Sequence, residues 1–206
     1  MTNLIQDLTQ GYFAKKTLGY QGQVRKMGRR RKGWAKFLEA ADWELYKKRV
    51  EEAIRHAVWK FRQEHPDEPV FTISILTDPQ AQWTCISFDT KEHALQYIQE
   101  EAQYWREKGN EETAKGVEEL GFCPNPADFK YYRFYEVYHP ELASFRGLNF
   151  ADEEQDRAAF AWVEKHLEEV VAKLVEEGVF TFENREEVVR IGINSPYDWF
   201  DKTWEI

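Results

Sequence analysis

Five histidines, two cysteines and 37 carboxylates are the side chains in this 206-residue sequence that could do acid–base, nucleophilic or metal chemistry. Their spacing decides which of these chemistries is open. His56, His65, His93, His139 and His166 never recur at i,i+4, and HExxH and CxxC are both absent. No helix face therefore offers a paired ligand set, and no metal site is expected. A Glu near a His, such as Glu52 with His56, follows from the abundance of Glu alone. There is no GxSxG elbow. Cys85 falls in a β-type run and reads as a small buried apolar residue. Cys123, in a Pro-rich loop, reads as the better exposed of the two, with no neighbour that lowers its pKa. GxxxxGK[ST] is missing, as is GxGxxG after a strand, and the GxxG at Gly19 to Gly22 is too common to signify. No cofactor is expected. The polar group most suggestive of an enzyme site is Arg133, Glu136, His139 and Glu141, set among aromatics between two turn signals. Its plainer account is an element whose polar side faces water.

A second kind of chemistry is charge. Residues 1–40 hold nine basic and two acidic residues, a net of +7, which leaves −16 for the rest (19 basic against 35 acidic). Arg25, Lys26, Arg29, Arg30, Arg31 and Lys32 can contact phosphates by releasing counterions, with Tyr20 and Trp34 to stack on bases. The acidic remainder opposes such a polyanion and suits a basic protein instead. It is densest on the helix expected over 152–177, whose Glu153, Glu154, Glu164, Glu168 and Glu169 form the candidate partner-binding face.

These groups need elements to hold them. Gly19, Gly22, Gly28 and Gly33 interrupt any helix in 1–40, which reads as a basic arm before one domain at 41–206. Tyr46, Val50, Ala53, Ile54, Ala57, Val58 and Phe61 follow one helical face over 42–63, stopped by His65 and Pro66. Val70–Leu76 and Trp83–Phe88 read as a hairpin across Pro79, with Phe71, Ile73 and Ile75 on one face of a sheet covered on one side. Asp89 and Glu92 resemble a capping box for a helix to Lys108, with Leu95, Ile98, Ala102 and Trp105 inward. A short helix spans 111–120. Residues 129–138 are aromatic at a spacing that suits helix or strand equally. Phe160, Val163, Leu167, Val170, Val171 and Leu174 stripe the long helix at 152–177, which ends at Gly178. Val179–Phe182 and Val188–Ile193 read as strands, and the tail at 197–204 docks on the core. The sum is an α+β domain: a mostly antiparallel sheet of about four strands packed with long helices. No apolar run is long enough for a membrane span, and the chain is expected in the cytoplasm with free thiols.

From Glu44 onward the layout resembles a bacterial family, numbered 4303 among the domains of unknown function. The resemblance rests on the opening helix, the strand Phe71 to Asp78, the helix entry at Asp89 to Glu92, the aromatic segment before Pro140, the long acidic helix and the final strands. It implies an immunity-type protein that blocks a toxin without an active site of its own. Three functions follow. The first is a non-enzymatic module that binds a basic protein. The second is a nucleic-acid accessory acting through residues 25–32. The third is an enzyme with its site near 133–141, which requires a pocket there.

Overall fold

A computed structural model describes residues 41–78, 82–147, 153–194 and 199–206. The basic arm at 1–40, with Arg25 to Lys32, lies outside the described residues. Helix α1 (Trp43–Glu64) starts where the Asp42 side chain accepts from Leu45 N–H at 3.0 Å, and it buries all seven residues of the expected face. Strands β1 (Val70–Asp78) and β2 (Trp83–Thr90) form the hairpin, followed by α2 (Lys91–Glu107) and α3 (Glu111–Leu120). Strand β3 (Tyr131–Tyr138) settles the aromatic segment as extended. A 3-10 segment (Pro140–Gly147), α4 (Glu153–Glu176), β4 (Arg185–Asn194) and β5 (Trp199–Glu205) complete the order.

The α+β class holds. The sheet is mixed and has five strands in the order β3-β2-β1-β4-β5. Three pairings are antiparallel and the central one, β1 with β4, is parallel. The fifth strand is the tail, whose Ile191↔Trp204 and Ile193↔Lys202 pairings make it part of the sheet rather than a segment docked on it. Val179–Phe182, by contrast, is not a strand. Gly178 turns there at φ +70, and the short stretch instead buries Phe180 and Phe182 in the core, where Phe182 meets Phe61 and Phe88.

Both faces of the sheet are covered, where the sequence suggested one. Helices α1 and α4 lie over Ile73, Ile75, Ile86, Phe88, Ile191 and Ile193. The opposite face carries a smaller cluster of Ala94, Phe122, Cys123, Phe129 and Phe200, roofed by α2. Phe71 belongs to this second cluster, not with Ile73 and Ile75. A register shift between Val70 and Thr72 inserts a bulge, which moves the side chains before it to the other face. The α2 stripe is rotated as well. Ala94, Ile98 and Ala102 are buried while Leu95 is exposed, and the cap is Thr90, whose hydroxyl accepts from His93 N–H. Asp89, expected at the cap, is buried one residue earlier.

Candidate functional site

The densest buried polar cluster gathers at the C-terminal end of β1. Thr77 is the penultimate residue of β1, Thr84 the second of β2, His139 follows β3, Glu141 sits in the 3-10 segment, and α1 contributes Tyr46 and Arg49. Thr77, Thr84, His139 and Tyr46 are fully buried, and the Glu141 side chain is 1% exposed. Glu141 Oε1 lies 2.9 Å from His139 Nδ1, His139 Nε2 lies 3.0 Å from Thr84 Oγ1, and Thr84 Oγ1 lies 3.1 Å from Thr77 Oγ1. A carboxylate only accepts, so His139 donates from Nδ1. Its neutral ring then accepts from Thr84, whose hydroxyl oxygen lies against that of Thr77. Arg49 Nε stands 3.4 Å from the second Glu141 oxygen, and the Tyr46 ring packs 4.8 Å from the imidazole. Burial holds His139 below its usual range, with Glu141 pulling the other way. Burial likewise raises the Tyr46 phenol to about 12, against the pull of Thr77 and Thr84.

Hydroxyl, imidazole and carboxylate in series is the relay that activates a nucleophile. Here Thr84 is wedged between Thr77 and His139 and is fully buried, so its oxygen presents no face to a substrate. What the series does is tie β1, β2 and the end of β3 together through hydrogen bonds shielded from water, while the Arg49–Glu141 ion pair and the packing of Tyr46 bring in α1.

The four residues expected as an enzyme site separate into two pairs. His139 and Glu141 are in this cluster. Arg133 and Glu136 are on β3, where Arg133 Nε donates to Glu136 at 2.6 Å and its guanidinium covers the Trp83 ring at 5.4 Å. Arg133 also has φ +50, within the irregular pairing of β3 with β2, and its N–H donates to Ser87 Oγ at 3.0 Å.

Three further places hold polar or reactive groups. Asp89 Oδ1 accepts from His93 Nδ1 at 2.8 Å, from Thr90 N–H at 3.0 Å and from Lys130 N–H at 3.2 Å, pinning the start of α2 to the start of β3. Burial raises the Asp89 carboxyl despite these donors. A cleft of about 310 Å³ opens at the other end of the sheet, between Arg62, His65, Glu68, Phe182, Glu183 and Asn184. Its polar groups are largely engaged: Arg62 donates to the Val179 and Thr181 carbonyls, Asn184 to Pro66 O at 3.3 Å, and Glu68 holds Lys130 at 2.8 Å. No group of His, Cys, Asp or Glu among the described residues can hold a metal ion. The cysteines are both buried, Cys123 included, so the loop position did not expose it. Burial raises the Cys85 thiol to about 12 and the Cys123 thiol further. Neither should react with a disulfide reagent in the folded protein, and both should react once urea unfolds it. A thiol that titrates under native conditions would contradict this burial.

The glutamates of the α4 face are partly spent within the fold. Glu168 stands 3.8 Å from Lys202, and Glu169 stands 3.4 Å from Lys47 and 3.8 Å from His166. Glu164 is half-buried and Tyr46 feels its charge. The Glu153 and Glu154 side chains lie outside the described residues.

Sequence reasoning found His139 and Glu141 and missed Tyr46, Arg49, Thr77 and Thr84. Nothing local marks those four. Tyr46 reads as core, and the threonines read as strand residues.

Burial of neutral imidazole has a testable consequence. His139 and His166 are both held low by burial, so below the ordinary value near 6.5 the unfolded chain binds protons that the folded chain refuses. Their contribution is fully present above about pH 6.5 and is lost as pH falls below it. The loss is at most about 1.4 kcal/mol per pH unit for each histidine. Urea unfolding at pH 7.5, 6.5 and 5.5 should show the fall, and a His139→Gln, His166→Gln double variant should flatten it. A stability that holds steady to pH 5.5 in the natural sequence would rule this out.

No helix among the described residues is long and apolar enough to cross a membrane. Residues 50–203 match the model of a family described as Domain of unknown function (DUF4303). Comparisons with curated proteins and with solved structures give no match.

Proposed function

This chain belongs to the DUF4303 family, and on that footing we propose that it is a non-enzymatic binding module of the immunity type, which captures and blocks a basic toxin-like protein in a bacterial cytoplasm. One observation carries the reading. The groups with catalytic chemistry, His139, Glu141, Asp89 and both thiols, face inward, while the surface combines the −16 charge of residues 41–206 with exposed aromatics such as Trp59, Tyr104, Tyr138 and Trp162. Aromatic anchors in a charged surround are what protein interfaces use, and the charge steers a basic partner toward them.

The test is affinity capture from the host's lysate with the full chain and with a chain lacking residues 1–40, washed at low and high salt. A basic protein held by both baits, released by salt and binding as a purified one-to-one complex, is the expected result. Nucleic acid held only by the full chain would favour an accessory that works through Arg25 to Lys32. No specific protein on either bait would remove the module reading.

A further inference from the structure

The exposed side of α1 carries an aromatic site whose free valence is cationic. Glu52, His56, Trp59 and Gln63 follow one another at steps of four, three and four residues and are all exposed, opposite the face that buries Val50, Ala57 and Phe61. Trp59 is 56% exposed, more than any other large apolar side chain among the described residues. Its ring stands 5.5 Å from that of His56, which in turn lies 4.9 Å from Tyr135 on β3. This protein repeatedly covers its accessible rings with its own cations. Lys60 lies over Phe134 at 4.3 Å, Arg133 over Trp83 at 5.4 Å, Lys108 over Tyr104 at 5.5 Å and Lys165 over Trp162 at 5.5 Å. Trp59 has no such cover among the described residues, although indole is the strongest cation acceptor of the aromatic side chains. Glu52 lies two helical turns back on the same side. It is 65% exposed and reaches a cation, Lys48, only at 3.9 Å, an exposed pair too weak to hold it.

We propose that the open face of Trp59 receives an arginine or lysine side chain of the basic partner, with Glu52 as its counter-charge. This rests on the binding-module reading and locates its contact. The complementarity is specific: an electron-rich ring and a carboxylate on one helix side, for a cation brought in by a protein whose approach the acidic body favours. The flat guanidinium of arginine fits better than ammonium, because it can stack on the indole face.

Two measurements test it on the full chain. First, a nona-arginine peptide is titrated while the eight indole N–H signals are followed by NMR, with nona-citrulline as the uncharged control. The Trp59 signal, assigned by its loss in Trp59→Phe, should move first with the arginine peptide and stay still with citrulline. Second, the protein captured from host lysate is purified and titrated against variants. Trp59→Ala should weaken it at least tenfold and Glu52→Lys by a similar factor, while Trp59→Phe keeps it within threefold and Leu95→Ala, on α2, leaves it unchanged. All three positions are exposed, and unchanged thermal unfolding confirms that the fold persists. If Trp59→Ala binds the captured protein as the natural sequence does, the site is wrong and the module reading stands. If sedimentation shows self-association that Trp59→Ala abolishes, the occupant is a second copy and the proposal fails. Capture of no basic protein removes the reading and the site together.

Discussion

Glu141→Ala should destabilise the fold by about 2–3 kcal/mol, the effect of leaving a buried hydrogen-bond donor without its charged acceptor. The residue is nearly inaccessible, and its two oxygens answer His139 Nδ1 at 2.9 Å and Arg49 Nε at 3.4 Å. Alanine leaves the imidazole N–H without an acceptor inside the protein, and the loss passes on to Thr84 and Thr77, whose hydroxyls are ordered through that ring. Glu141→Gln keeps a carbonyl for His139 and should cost only about 1–2 kcal/mol. Urea unfolding of the two variants beside the natural sequence separates them. A cost below 1 kcal/mol for alanine would mean that water reaches the cluster and that the relay is not shielded.

The other large effect is expected at Gly192. A Cβ there would fall 2.2 and 2.3 Å from two carbons of the Phe200 ring. Phe200 cannot step aside. Its backbone is held at φ +55, its N–H donates to Asn194 Oδ1 at 2.7 Å, and its ring packs 5.0 Å from Phe122. Gly192→Ala should therefore cost about 3 kcal/mol, the upper range for overpacking, and lower the melting temperature by roughly 6–12 °C. Phe200→Ala opens the space. On that background Gly192→Ala should add less than about 1 kcal/mol, and this non-additivity is the decisive reading. Full additivity would place the strain elsewhere.

The structure follows the sequence where one periodicity acts alone. The buried stripes of α1 and α4 are those that their spacing picks out, because a helix facing a wide core needs only a consistent side. The hairpin and α3 are equally plain. Legibility ends where geometry depends on a second segment. The bulge that turns Phe71 over has no local mark, since Val70 to Thr72 reads as an unbroken alternation. Val179–Phe182 has strand composition, but Gly178 leaves the helix at an angle that spends those residues on the turn. The tail reads as a docking segment because a strand at the sheet's edge is defined by its neighbour, β4, and not by its own pattern. The polar cluster is the sharpest case. His139 and Glu141 were visible as chemistry, but Thr84 and Tyr46 are 55 and 93 positions from His139 in the chain. A local reading therefore groups His139 with Arg133 and Glu136, whose side chains pair with each other instead.

The parallel pairing of β1 with β4 also fixes when the domain can become a domain. Ile73 and Ile75 meet their partners Ile191 and Ile193 only after more than a hundred intervening residues have been made. Local contacts let α1 and the hairpin form early, while closing so long a loop comes late and slows folding. Until residues 185–194 leave the ribosome, β1 is a bare, apolar margin able to pair with the same strand on a neighbouring nascent chain. This chain should therefore depend on chaperones late in its synthesis, and lesions in β4 should yield aggregates rather than shortened folded protein.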